Sequence, residues 1–89
     1  MFQVPLAPVN GHPYVLAWSG NTGSGHQIYT QCTACGDRWQ RDCNYPDKAP
    51  VWVARYCAQH CHGNQQLQAQ WENMYHTSLQ AFNMRHRGY

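Results

Sequence analysis

Five cysteines in a chain of 89 residues constrain the fold more strongly than any other feature of this sequence. All of them lie between Cys32 and Cys61. The chain is only slightly longer than the ~70–80 residues below which core packing contributes too little and a disulfide or metal staple is usual. Five thiols cannot all pair within one chain. The odd number therefore predicts a metal site that uses four ligands and leaves one thiol over.

The composition predicts a globular chain in a reducing compartment. Charged residues make up 11% of the sequence, less than half of the roughly 25% found in soluble domains, and the formal net charge is only +2. No apolar run approaches the ~18 residues of a membrane span, so we expect no membrane association. Residues 1–8 contain two prolines and no basic residue, unlike a secretory signal. We expect a cytoplasmic location, where structural disulfides are rare.

The pattern of turns and apolar residues predicts one small α+β domain over residues 1–89. Residues 1–11 are expected to form an extended arm that ends in an Asn-Gly turn. Residues 12–62 are expected to form β-hairpins and a metal-binding unit, and residues 64–87 one long helix.

Local signals place the elements inside these segments. Residues 12–19 and 26–32 are rich in β-forming side chains and flank a glycine-rich turn, which predicts a hairpin. Pro50 suits the first turn of a helix, which we expect to continue as far as His62. Asn64 is a candidate N-cap for the long helix. That helix carries an apolar stripe at helical spacing, formed by Leu67, Trp71, Met74, Tyr75, Leu79 and Phe82.

The metal ligands are expected in two pairs. Cys32 and Cys35 are followed by Gly36, the spacing of a knuckle that turns two thiolates toward one ion. The second pair must come from a short stretch that holds Cys57, His60, Cys61 and His62. Cys57 with Cys61 is preferred, because residues four apart share a helix face and thiolate is the better zinc ligand.

Other ligand sets stay open. Cys57 and His60 are three apart and also share a helix face, and either His60 or His62 can pair with Cys61. Cys43 is the surplus thiol, read either as a partly buried loop cysteine or as a replacement for one ligand. Four protein ligands leave no position for water or substrate, so the ion is expected to be a single structural zinc.

Residues 32–62 resemble zinc-finger proteins. A hairpin with the Cys32/Cys35 knuckle, then a helix that presents Cys57 and Cys61 near its end, looks like the ββα finger. That family places histidines on its helix and about 12 residues between the pairs, whereas residues 36–56 separate them here. A treble-clef arrangement, with a helix that begins near Cys57, is the alternative. With four thiolates, one zinc ion would bring the net charge from +2 to zero.

The favoured function is a protein-interaction module, an adaptor or an inhibitor of a larger machine. No charged side chain precedes Asp37, and the chain has the Trp, Tyr, Met and Arg residues that interfaces favour. The alternative is a zinc finger that binds DNA or RNA. The candidate contacts to a partner or to nucleic acid are Arg38, Trp39, Arg41, Trp52, Arg55, Arg85 and Arg87.

No enzyme is predicted. The nearest catalytic resemblance is to HNH-type nucleases, because His62, Asn73 and His86 occur in that order. The site of that family combines a hairpin with a helix, whereas these three residues lie along or beside one predicted helix. Four acidic residues in the whole chain also leave little for acid–base catalysis.

Overall fold

The computed structural model describes residues 5–23 and 25–86, with the side chain of residue 22 left out of the description. An antiparallel four-stranded sheet is followed by two α-helices, which confirms the predicted α+β class. The strands, in chain order and in sheet order, are β1 (Ala7–Pro8), β2 (Val15–Thr22), β3 (Gly25–Cys32) and β4 (Arg38–Cys43). A 3-10 helix (Pro46–Lys48), α1 (Ala49–Gln59) and α2 (Gln65–Arg85) complete the chain.

The predicted hairpin is formed by β2 and β3. Its register runs from Val15 opposite Cys32 to residue 22 opposite Gly25. The first strand therefore begins three residues later than predicted, and both strands extend into the predicted glycine-rich turn, which is tighter than expected. Trp18 lies opposite Tyr29 with ring centroids 5.6 Å apart. Gly20 permits this packing, because a Cβ there would lie 2.7 Å from the Trp18 ring.

The predicted arm is partly an edge strand. Ala7 pairs with Ala17, and Pro8 pairs with Leu16 at the end of the sheet. Proline is tolerated there because an edge strand can leave one backbone position without a ladder hydrogen bond. Residues 1–4 of the predicted arm lie outside the described residues.

Helix α1 covers one face of the sheet, and α2 packs mainly against α1. Alternate residues of β3, namely Ile28, Thr30 and Cys32, are buried, as the period of a half-buried strand requires. Ile28 packs with Cys43 and Ala49 beneath the start of α1. A second cluster joins the other end of the sheet to both helices and consists of Val15, Cys32, Ala54, Tyr56, Cys57, Cys61 and Trp71.

Helix α2 begins where the sequence predicted. The Leu67 N–H donates to Asn64 Oδ1 at 3.0 Å, which makes Asn64 the N-cap. Trp71 is the buried residue of this helix, and residues 87–89 lie outside the described part of the chain. Neither described helix is long and apolar enough to cross a membrane.

Helix α1 ends earlier than predicted. The expectation that it reaches His62 is wrong, because the helix stops at Gln59 and His60 is its C-cap. The His60 N–H bonds to the carbonyl of Cys57, three residues back, instead of continuing the α-helical pattern. His62 and Gly63 then take positive φ angles of 51° and 87°, which turns the chain toward α2.

Replacing the N-cap tests the start of α2. We expect Asn64→Ala to lower the free energy of unfolding by about 1 kcal/mol in urea denaturation, because the Leu67 N–H loses its acceptor. Asn73→Ala is the matched control, since Asn73 is exposed in mid-helix, where alanine has the higher helix propensity. Equal losses in both variants would contradict the cap.

Candidate metal centre

Two cysteines and two histidines meet beside the sheet. The ligand atoms of Cys32, Cys35, His60 and His62 all lie within 4.8 Å of one another. The Sγ of Cys32 is 2.9 Å from Nε2 of His62, and the Sγ of Cys35 is 3.6 Å from Nδ1 of His60. This group can hold a metal ion, and its composition agrees with the resemblance to zinc fingers.

The two cysteines sit on a tight turn between β3 and β4. The Gly36 N–H donates to the carbonyl of Cys32 at 2.9 Å, and the Cys32 N–H donates to the carbonyl of Asp37 at 2.9 Å. Gly36 has a φ of 76°, in the left-handed region that glycine adopts most easily. The Cys-x-x-Cys-Gly spacing therefore forms the turn that the sequence predicted.

The early end of α1 brings the two histidines to this turn. His60 leaves the last helical turn and stacks on Tyr56, with ring centroids 4.0 Å apart. The ring of His62, two residues on, lies nearly perpendicular to the Tyr14 ring, with ring centroids 5.3 Å apart. These ring contacts orient Nδ1 of His60 toward Cys35 and Nε2 of His62 toward Cys32.

The surroundings favour the protonation states that metal binding needs. Burial opposes ionisation of Cys32, but hydrogen bonds to its sulfur from His62 and from backbone N–H groups lower the pKa of this thiol overall. Burial also lowers the pKa of His60, which favours the neutral imidazole, and the Asp37 carboxylate partly offsets this. Thiolate and neutral imidazole are the forms that bind zinc.

The preferred second pair, Cys57 and Cys61, is not part of this group. The expected helix face does not exist, because α1 ends before Cys61. Cys57 is fully buried in the apolar cluster, and this burial raises the pKa of its thiol to about 12. Cys61 is also buried, and its thiol donates to the carbonyl of Cys57 at 3.1 Å. Both thiols act as core groups here, and the alternates His60 and His62 take the positions facing the knuckle.

Cys43, the third alternate, also lies outside the group. It ends β4 and packs with Ile28 and Ala49 at 8% exposure. Burial raises the pKa of its thiol. Cys43 is thus a surplus thiol outside the group, but it lies buried at the end of a strand and not in a partly buried loop.

The sequence did not predict a role for Asp37 in the metal group. Its carboxylate accepts a hydrogen bond from the Tyr56 hydroxyl at 2.9 Å and lies 3.7 Å from Nε2 of His60. A carboxylate on the far nitrogen of a histidine ligand fixes the ring and raises its basicity. The sequence signal that could have indicated this role is that Asp37 directly follows Cys35 and Gly36.

His12 is a second residue whose place the sequence did not show. It is 5% exposed, and its Nε2–H donates to the carbonyl of Cys57 at 3.0 Å, while its Nδ1 accepts from the Tyr14 N–H at 3.2 Å. Burial lowers the pKa of His12, in keeping with a neutral ring. His12 thus anchors the end of α1 to the segment before β2.

Four of the predicted contact residues line one cleft beside the centre. Trp39, Arg41, Trp52 and Arg55 surround a cavity of about 310 Å³ that reaches His60. Arg38 does not line this cavity, and strand alternation places it on the opposite face from Trp39. Two predicted contact arginines remain. Arg85 lies 3.8 Å from Asp47, away from this cleft, and Arg87 is outside the described residues.

The donor set fits a zinc ion. Tetrahedral zinc holds neighbouring sulfur and nitrogen ligands about 3.5 Å apart. The Cys35–His60 pair is close to this spacing at 3.6 Å, and the Cys32–His62 pair is tighter at 2.9 Å. Two thiolates also change the predicted charge. They cancel one zinc ion, so the formal net charge with metal would remain +2 instead of falling to zero.

Comparisons of the chain with protein-family models, with curated proteins and with solved structures found no match. The functional assignment therefore rests on the chemistry of the described residues.

Single substitutions distinguish the two ligand sets. We expect His60→Ala and His62→Ala each to abolish stoichiometric zinc binding in native mass spectrometry, because each removes one of four ligands. Cys57→Ala should retain one zinc per chain, since its thiol lies in the core. Loss of zinc from Cys57→Ala with retention in His62→Ala would contradict the observed group.

Asp37 should tune zinc affinity through His60. We expect Asp37→Asn to weaken zinc binding about tenfold in competition with a chromogenic chelator, because the amide keeps the shape of the carboxylate but not its charge. Asp42→Asn is the control, since the Asp42 carboxylate pairs with the Gln27 amide at 2.8 Å. An equal change in both variants would rule out a specific effect on His60.

Proposed function

We propose that this chain is a small, non-enzymatic zinc-binding protein in which the metal is structural. The observation that carries the proposal is the convergence of Cys32, Cys35, His60 and His62. Zinc bound by all four would have a closed shell with no position for substrate. It would tie the β3–β4 turn to the end of α1, two segments that are more than twenty residues apart in the chain.

The metal would supply stability that the core lacks. The buried apolar residues form two small clusters, and α2 contributes Trp71 alone among its described residues. Because the unfolded chain has no preformed site, the free energy of zinc binding becomes free energy of folding. Zinc and fold should therefore be lost together.

The arrangement of the candidate nuclease residues supports a role without catalysis. His62 faces the metal group, whereas His86 lies beyond the other end of α2 and 3.0 Å from Asp47. The intervening helix of 21 residues spans about 30 Å, so these histidines cannot act on one bond. Asn73 is exposed between them.

We further propose that the protein acts by binding another macromolecule. The sequence favours a protein partner for an adaptor or inhibitor, and the exposed Met74, Met84 and Tyr45 side chains are of the types found at interfaces. Nucleic acid is the second candidate, and the observation that favours it is the cleft that gathers Trp39, Arg41, Trp52 and Arg55.

Chelation tests the structural role of the metal. We expect the purified protein to carry one zinc ion per chain in native mass spectrometry. A strong chelator should remove the ion and most of the helical circular dichroism, because folding depends on the metal. A metal-free chain with unchanged helicity would overturn the proposal.

Two cysteine variants serve as a matched pair for this test. Cys32→Ser should prevent folding at neutral pH, since it removes a thiolate ligand, whereas Cys43→Ser should keep zinc and helicity, with at most a modest loss of stability from its buried site. Normal zinc loading of both variants would contradict the assigned ligands.

A further inference from the structure

Half of the basic residues in the chain surround one tryptophan. The Arg41 guanidinium lies 3.9 Å from the centre of the Trp52 ring, that of Arg55 lies 5.4 Å away, and the Lys48 ammonium lies 5.8 Å away. The sequence has six Lys and Arg residues in total. Three positive charges around one half-buried indole form a basic surface.

Two cavities adjoin at this tryptophan. The cleft of about 310 Å³ beside His60 and a second cavity of about 260 Å³ near Phe82 share Arg41 and Trp52 in their walls. We call their common surface the aromatic–basic track and define it by Trp39, Arg41, Lys48, Trp52, Arg55 and Phe82.

Aromatic rings follow one another along the track. Trp39 lies 5.9 Å from Trp52 between ring centroids and stacks on Tyr56 at 6.3 Å. Phe82, in the second cavity, lies 4.4 Å from the Lys48 ammonium. The rings thus lie directly beside the three cations, of which Arg41 and Arg55 are exposed.

Each part of the track suits a different part of a nucleotide. Aromatic faces and guanidinium planes stack on any unpaired base, and the free edge of an arginine donates to phosphate oxygens. Arg41 is already stacked on Trp52, so little side-chain entropy remains to be lost when its edge binds an anion.

The cations of the track outnumber the carboxylates that line the same two cavities. Arg41, Lys48 and Arg55 face the carboxylates of Asp37 and Asp42, which leaves one net positive charge. A zinc ion held by two thiolates would add no further negative charge. This balance favours a polyanion over a cation.

We propose that the aromatic–basic track binds single-stranded nucleic acid, an inference that rests on the proposed zinc-stabilised fold and takes up nucleic acid, the second of the two candidate partners. Duplex nucleic acid keeps its bases stacked inside, so it offers phosphates but no base faces to stack on the Arg41 guanidinium, which covers Trp52. An acidic polypeptide offers charge but no flat bases. The combination of exposed guanidinium groups with adjacent rings fits the single strand best of the three.

Fluorescence anisotropy with a labelled single strand of about 12 nucleotides tests the proposal on the zinc-loaded protein. We expect binding that weakens with salt, with a slope of log affinity against log salt near −2 for three phosphate contacts. A duplex of the same sequence and poly-glutamate should compete poorly. Equal competition by either one would overturn the proposal in favour of simple charge attraction or of an acidic protein partner.

Variants locate the binding surface. Arg41→Gln and Arg55→Gln should each weaken binding and make the salt slope shallower by about 0.7. Arg38→Gln is the matched control, with the same charge change on the opposite face of the strand that carries Arg41. Equal effects of Arg38→Gln and Arg41→Gln would overturn the proposed location.

Trp52→Leu tests base stacking. This variant should reduce the affinity for the single strand about tenfold, because it removes the indole of the stacking surface. The leucine should still fill the space where Trp52 packs against the core. Zinc content and circular dichroism, measured on each variant, separate the two proposals. If the folded, zinc-loaded protein binds no single strand, the proposed binding by the aromatic–basic track is wrong and the structural role of zinc stands. If the folded chain carries no zinc, the proposed function is wrong.

Discussion

The meeting of the Cys32/Cys35 turn with the end of α1 is the contact on which the rest of the structure depends. It joins the sheet to the helices at the edge of a small core, where His60 and His62 follow directly after the last residue of α1. The same chain reversal sets the start of α2, because Asn64 caps that helix two residues after His62. One local break in a helix thus positions both the candidate metal ligands and the longest element of the fold.

Hydrogen bonding to sulfur distinguishes Cys32 from Cys57, since both side chains are fully buried. At Cys32, hydrogen bonds to the sulfur outweigh desolvation and lower the pKa of the thiol. At Cys57 no such donors offset the desolvation, and the pKa rises to about 12. A thiol that hardly ionises is a poor metal ligand and a good core residue. The difference comes from the surroundings of each sulfur, since the residue type is the same.

Local electrostatics at the track matter more than the small net charge of the chain. A formal charge of +2 over 89 residues is a weak attraction for any polyanion. Gathering Arg41, Lys48 and Arg55 around Trp52 concentrates this charge on one concave, ring-lined surface. Zinc bound by the proposed two cysteines and two histidines would leave the net charge of +2 unchanged, whereas four thiolates would bring it to zero.

The amino-acid sequence by itself determined what depends on neighbours along the chain. β-forming residues and a glycine-rich turn gave the hairpin, Asn64 and the apolar stripe gave α2, and the Cys-x-x-Cys-Gly spacing gave the turn that presents Cys32 and Cys35. Only the tertiary structure placed His60 and His62, and not Cys57 and Cys61, beside Cys32 and Cys35. Helical periodicity favoured Cys57 with Cys61, but the helix ends at Gln59, and the carbonyl of Cys57 is held by His12 from a distant segment. A contact between distant segments produces no repeating pattern in the sequence. The approach of β4 to α1, which forms the aromatic–basic track, is likewise invisible to sequence patterns.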